Sequence, residues 1–334
     1  MHGSITRRGL GALGAGLLAA PALPRRGAAA GTAADWPDRP VTLVVPFTPG
    51  GASDTLARQI GQHFPRFANG QPLVVENRSG AGGTVGGGYV AAQQPNGYTL
   101  LMADVGANAI GRELNPRLGF DPMTAFTPII HLVNLPAVFF AHPDVPERTL
   151  PEVIASAKAR PDSFSYASAG VGNGSHLFMA LLCRRAGVSM IHVPYRSGSE
   201  IVTSVMRGET QLGFPSLSSA LGALRAGSIR PIAMGNPEGS PALPGIPPVS
   251  RVLPGFDVAV WYGVAAPAGM APDLAHRINE VFGRIAALPA VREAVFSTQA
   301  GQVVGGSSED FARFLRREYD TWTPLIREGG IRTE

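Results

Sequence analysis

The chain has almost no lysine and almost no cysteine. Among its 334 residues Lys158 is the single lysine and Cys183 the single cysteine. One cysteine excludes an intrachain disulfide, so the fold must rely on its core. The lone lysine sits in no G-x-x-x-x-G-K-[ST] pattern, which removes a P-loop nucleotide site. No G-x-S-x-G occurs, so a serine-hydrolase elbow has no support. The seven histidines form no H-E-x-x-H and no tight metal pair. No metal and no cofactor are therefore expected. After the first two dozen residues no apolar run is long enough to cross a membrane as a helix.

A surplus of charge is missing too. The formal net charge is +4, but Arg7, Arg8, Arg25 and Arg26 all precede the first acid, Asp35. Without those four, 24 basic residues face 24 acidic ones. Nucleic acid is then not an expected partner. Thr6-Arg7-Arg8-Gly9-Leu10 is a twin-arginine start, and Gly9–Leu23 is apolar, short and built of small residues. Ala28-Ala29-Ala30 and Thr32-Ala33-Ala34 both suit cleavage. Residues 1–34 are read as a removed export signal, of the twin-arginine kind or, alternatively, of the general secretory kind. No cysteine lies near the cleavage region, so a lipid anchor is out. Export with one cysteine fits a bacterial periplasm. A mature length of about 300 residues predicts two domains.

Glycine and proline are plentiful, 42 and 30, and they punctuate short apolar strands. The organising stretch is Val41 to Thr55. Val41–Val45 reads as a buried strand. Pro46, Pro49, Gly50 and Gly51 break it, Ser53, Asp54 and Thr55 offer N-cap chemistry, and helical spacing follows from Leu56. Such a turn aims free N–H groups and a helix dipole at whatever lies in front, so an anion is welcome there. An ordinary βα loop is the plainer alternative. Leu73–Glu76 with the turn at 77–84, and Tyr98–Ala103 with Asp104–Asn108, repeat the unit. Three such units in series predict a parallel α/β sheet with its loops gathered at the strand C-terminal ends.

Ala137–Ala141 reads as a strand leaving this domain. Phe164–Ala167, Met190–Val193, Leu212–Phe214 and Ile229–Met234 alternate with helices from His176, Glu200 and Leu217 to make a second α/β domain. The glycine-rich loop 168–175 repeats the opening device. Pro241–Pro248 resembles a linker, Phe256–Ala265 is extended, and three helices follow in 272–328. The tail returns to the first domain. Lobe one is then 35–138 plus 251–334 and lobe two 139–250, with a double crossing that acts as a hinge.

Ser175 and His176 are neighbours on a helix and cannot face each other. His176 serves packing or capping, or else touches a ligand at the rim. Gly80-x-Gly82-x-x-x-Gly86 after a strand, with Asp104 further on, comes near a dinucleotide fingerprint. Asn77-Arg78-Ser79 delay its glycines, Gly86-Gly87-Gly88 weaken its helix, and no catalytic set accompanies it. An exported NAD(P)-dependent oxidoreductase stays as the alternative. Trp261 is assigned to hinge or core rather than ligand, and Tyr195 to either.

Five stretches in order resemble the periplasmic receptors of tripartite tricarboxylate transporters, the Bug receptors. They are Pro46 to Asp54, Val75 to Gly83, Pro95-Asn96-Gly97-Tyr98-Thr99-Leu100-Leu101, His192-Val193-Pro194-Tyr195-Arg196 and Ala265-Ala266-Pro267-Ala268-Gly269. Each is loose alone; in this order they are specific, and they span Trp36 to Ile331. The resemblance implies an α/β, type II periplasmic-binding fold of two lobes with a ligand cleft between them, and no catalysis. It implies a small carboxylate held by loop backbones, short polar side chains and waters. The matching positions are Phe47, Thr48, Gly51, Ala52, Ser53 and Asp54, then Gly82, Gly83 and Asn108 in lobe one. In lobe two they are Ser168, Gly170, Ser175, Tyr195, Gly198 and Ser216. Pro215-Ser216 stands where the family often has Asp-Asn, and Ala180 where it often has Glu, which counts against an amino-bearing ligand. The carboxylate should rest on N–H groups of Gly51–Ser53 and hydroxyls of Thr48 and Ser53, with Asp54 capping the helix; Arg78 and Arg196 are the alternative holders, read instead as stabilising loops or the lobe rim. Membrane transporter subunits are the implied partners of a monomer that does not enter the bilayer. A receptor used for sensing is the alternative.

Overall fold

Residues 35–332 are described in the structure, a computed structural model; the export signal read at 1–34 lies outside them. The β-branched run Val41–Val45 (β1) forms a strand covered on both faces. It pairs in parallel with Leu73–Asn77 (β2) on one side and Thr99–Ala103 (β3) on the other. That double covering is why it is apolar at consecutive positions instead of alternating. Ala52–His63 (α1) and Thr84–Ala91 (α2) are the crossovers. The sequence pattern places N-cap chemistry at Ser53–Thr55, whereas α1 begins at Ala52 with Gly51 as a cap that makes no side-chain bond.

After β3 a wide helical turn, Gly106–Ile110, runs into Gly111–Leu114 (α3). Phe126–Pro136 (β4) follows, an eleven-residue strand to which the sequence pattern assigns no element. Its Ile129–Val133 centre is buried without alternation, and Pro122, Pro128 and Pro136 read as breakers.

The second sheet comprises Val138–Ala141 (β5), Ser165–Ser168 (β6), Ile191–Pro194 (β7), Leu212–Gly213 (β8) and Arg230–Met234 (β9). Its helices are Leu150–Ala159 (α4), Gly174–Ala186 (α5), Gly198–Met206 (α6) and Leu217–Arg225 (α7). The order is β7-β6-β8-β5-β9, with β6 parallel to both neighbours and β5 antiparallel to both of its own.

Ala259–Pro267 (β10) then returns to the first sheet between β3 and β4, and Gln302–Val303 (β11) closes its edge. Pro272–Ala286 (α8), Pro289–Gln299 (α9) and Ser308–Glu328 (α10) complete the chain. α8 buries Ala275, Ile278, Val281, Phe282 and Ile285, one stripe at helical spacing. α10 packs on β4 and on the 106–110 turn, and it also reaches α5, where Trp322 and Phe178 lie 6.0 Å apart.

The chain crosses between the sheets twice, side by side. Gly235 donates its N–H to Ala137 at 2.8 Å, and Val258 donates to Gly235 at 3.1 Å. A Cβ on Gly235 would stand 2.8 Å from the Val258 carbonyl oxygen, so only glycine lets the crossings lie this close. No helix among the described residues is long and apolar enough to cross a membrane.

Candidate functional site

Four helices end their N-terminal turns on one cavity between the lobes. Gly51, Ala52 and Ser53 come from α1, and Asn173, Gly174 and Ser175 from α5. Ser197 and Gly198 come from α6 and Ser216 from α7. The first N–H groups of a helix have no intrahelical acceptor and carry the positive end of its dipole. Here their serine hydroxyls are mostly tied to neighbours. Ser175 Oγ donates to Asn173 Oδ1 at 2.8 Å, Ser197 Oγ bonds Ser199 Oγ at 2.9 Å, and Ser216 Oγ bonds Ser218 and Ser219 at 3.0 Å. The donors left for a ligand are largely main-chain N–H groups. A Cβ on Gly51 would stand 3.8 Å from Ser197 Cβ, so the starts of α1 and α6 meet across the cleft.

Among the described residues, no Lys, Arg or His lines the cavity. Its titratable groups are Asp104, Tyr262 and Glu318. Asp104 is 3% exposed; Oδ1 accepts the Ala107 N–H at 3.1 Å and Oδ2 that of Gly106 at 3.4 Å. Burial pushes its carboxyl up to about 7, against the pull of those two bonds. Burial and the nearby Asp104 also push the Tyr262 hydroxyl up, against its bond with Ser53. At the α10 end, Glu318 Oε2 accepts from Trp261 Nε1 at 2.7 Å and from Trp322 Nε1 at 3.1 Å.

Of the residues singled out in the sequence, Phe47, Gly51, Ala52, Ser53, Ser175, Gly198 and Ser216 line this cavity. Trp261 both lines it and packs edge-on against Phe311 and Phe314. The others stand behind it. Thr48 does not face the ligand space; its hydroxyl donates to Glu200 Oε1 across the lobes at 3.3 Å. Tyr195 also lies off the wall, accepting from Ser204 at 2.7 Å and donating to Glu209 at 3.2 Å. Ser168 bonds His192 Nε2 at 2.6 Å. His192 stacks on His176 at 3.9 Å, and burial holds them down to about 4 and about 3, so neither supplies a cation. Asn108 is buried behind Asp104, whose N–H it accepts at 3.2 Å.

Asp54 is buried beneath the turn. It accepts from Gly50 N–H, from both ends of Arg58 and from Asn77, each at 3.0 Å. Burial pushes its carboxyl up, but the bonds from Arg58, Gly50 and Asn77 outweigh this and leave it below its usual range. Its stabilising effect is therefore present above the ordinary carboxylate pKa and lost as pH falls through the lowered one. Asp54→Ala should destabilise the fold by about 3 kcal/mol in urea unfolding at pH 7, and by progressively less as the pH is taken below the ordinary carboxylate range.

Gly82, Gly83 and Gly170 form the seam between the lobes rather than the ligand wall. A Cβ on Gly82 would lie 2.2 Å from the Val171 carbonyl oxygen, and one on Gly170 would lie 3.1 Å from Gly82 N. Gly83 (φ 100°) starts α2 against Asp104. Val171 and Asn173 of the second lobe thus press on the glycines that resemble a dinucleotide fingerprint.

Two α/β lobes closed over a cleft framed by helix N-termini define a solute-binding receptor. Residues 56–331 match the tripartite tricarboxylate transporter family receptor, and the chain belongs to that family. The UPF0065 protein in the tcbD-tcbE intergenic region of Pseudomonas sp. strain P51 is 35% identical over 88% of this chain and 87% of its own. Rpa4515 of R. palustris, solved with adipate, superposes with a TM-score of 0.84 at 30% identity, covering 89% of this chain and 99% of that one. MatC of Rhodopseudomonas palustris, solved with bound malate, gives 0.81 at 29% identity over 87% and 100%.

Proposed function

We propose that this receptor captures a small organic acid in the periplasm and delivers it to the membrane subunits of a tripartite tricarboxylate-type transporter. It acts as a monomer, after its export signal is removed, and carries out no catalysis. The observation that carries the ligand class is the meeting of four helix N-termini on a wall where no described residue is a cation. Each contributes about half a positive charge and free N–H donors, which is how an anion is held without Lys or Arg. The adipate and malate on the structural neighbours support the same class. The lobes, 35–138 with 251–334 and 139–250, close on the acid about their double crossing.

Calorimetry on Ser53→Ala tests where the carboxylate rests. Loss of one donor to a charged group should weaken binding about ten- to a hundredfold. Changing the ligand's carboxylate to an amide should cost as much in the wild type and far less in the variant. If the two losses simply add, Ser53 does not serve that carboxylate, and the anion belongs at the 168–175 loop of the second lobe.

A further inference from the structure

The cleft has two unlike ends. One is the ring of helix N-termini. The other is made by β10, α10 and Phe178 of α5, where Trp261 and Trp322 hold the Glu318 carboxyl and Phe178 and Val260 add to the wall. Both indole N–H groups at this end already donate to one oxygen, Glu318 Oε2. A ligand reaching it therefore finds no free indole donor. It finds no cation on the wall among the described residues either; Arg317, beside Glu318 on α10, acts on that carboxyl from outside the wall.

A second carboxylate placed there would shed its water against aromatic rings and beside another acid. No group lining that end would donate to it, and Arg317, outside the wall, is already spent on Glu318, so the desolvation is not repaid. Glu318 Oε1, by contrast, takes no hydrogen bond from any described residue and remains an acceptor on the wall. The complementary group is a donor on an apolar stem.

Resting on the reading that a carboxylate occupies the helix N-termini, we infer that the ligand is a monocarboxylate whose apolar body ends in a hydroxyl or ammonium group at Glu318. Glu318 thereby sets specificity against acids charged at both ends, the class that adipate and malate represent on the neighbours. It also returns to the cleft an acid that Pro215-Ser216 and Ala180 do not supply.

Four acids of one chain length isolate the far end: hexanoate, 6-hydroxyhexanoate, 6-aminohexanoate and adipate, titrated calorimetrically into the exported protein. The hydroxy or amino acid should bind at least about tenfold tighter than adipate. Glu318→Gln keeps an acceptor for the indoles and removes the charge. In it adipate should gain about tenfold. An amino acid favoured by the wild type should lose that preference, whereas a hydroxy acid should keep most of it. Adipate binding best to the wild type, or an adipate affinity that does not rise in Glu318→Gln, overturns the inference and leaves the carboxylate reading standing. Hexanamide binding as well as hexanoate overturns the carboxylate reading instead, and binding of no acid at all overturns both.

Discussion

Affinity for a small organic acid should fall as pH rises past 7, and Asp104→Asn should abolish that fall. Asp104 shares the cavity wall with Ser53 and Tyr262 and is almost fully buried. Its carboxyl is pushed up to about 7 by burial, while the acids it would meet are ionised well below that. At pH 6 Asp104 is mostly protonated and can donate to the incoming carboxylate. At pH 8 it is mostly ionised and repels the same group. If the bound state requires the proton, affinity drops about tenfold for each pH unit above 7. Calorimetry at pH 8 in buffers of different ionisation heat should show close to one proton taken up with the wild type and none with the variant. A flat wild-type profile from pH 6 to 8.5 would place Asp104 outside the field of the bound anion.

The same buried carboxyl makes the stability of the unliganded protein depend on pH. Asp104 is raised above its ordinary 3.8, so the folded state holds a proton that the unfolded chain releases. That contribution is fully present below the unfolded pKa and is lost as pH rises through about 7. A carboxyl raised from 3.8 to about 7 makes the loss about 4 kcal/mol between pH 4 and pH 8. Asp104→Asn keeps an acceptor for the Ala107 N–H, the shorter of the two main-chain bonds. Its unfolding free energy should therefore decline less than the wild type's over that interval.

Legibility followed physics that was local. β1, β2 and β3 stand out because each apolar run ends in a glycine-rich turn before a helix. β4 was hidden because Pro128 sits beside a β-bulge opposite Ala265 and Pro136 sits at the strand's last position, opposite Ala259. The anion device was visible at α1 and α5, where glycines advertise it. At α6 the sign was Ser197-x-x-Glu200, an N-cap pattern, and in the structure Ser197 Oγ accepts the Glu200 N–H at 3.3 Å. Glu318 had its own sign: it interrupts the stripe of Phe311, Leu315 and Trp322 on an otherwise amphipathic helix. An acid in an apolar stripe needs a partner, and its two indoles supply one. The seam at Gly82 had no local sign, because it depends on Val171, far along the chain in the other lobe.

Gly82→Ala should cost about a hundredfold or more in ligand affinity without unfolding either lobe. Gly82 has φ 63°, a conformation alanine adopts at modest strain, so backbone preference alone is worth only about 1 kcal/mol. The larger effect is steric. The new methyl would lie 2.2 Å from the Val171 carbonyl oxygen, main chain that cannot swing aside as a flexible side chain does. The loop at 170–173 must retreat, and with it the N-terminus of α5. Leu114 closes the same seam, since a Cβ on Gly172 would stand 1.8 Å from its Cδ1. Holding the lobes apart removes the second lobe's donors from the carboxylate, and one or two such donors amount to about 3 kcal/mol, near a hundredfold. Small-angle scattering at saturating ligand should show a larger radius of gyration for Gly82→Ala than for the wild type. Gly222→Ala is the control: nothing beyond its own turn of helix lies within 4 Å of its new Cβ, and it should leave affinity and shape unchanged. A Gly82→Ala protein that binds normally and compacts like the wild type would show that the closed seam is not needed to hold the ligand.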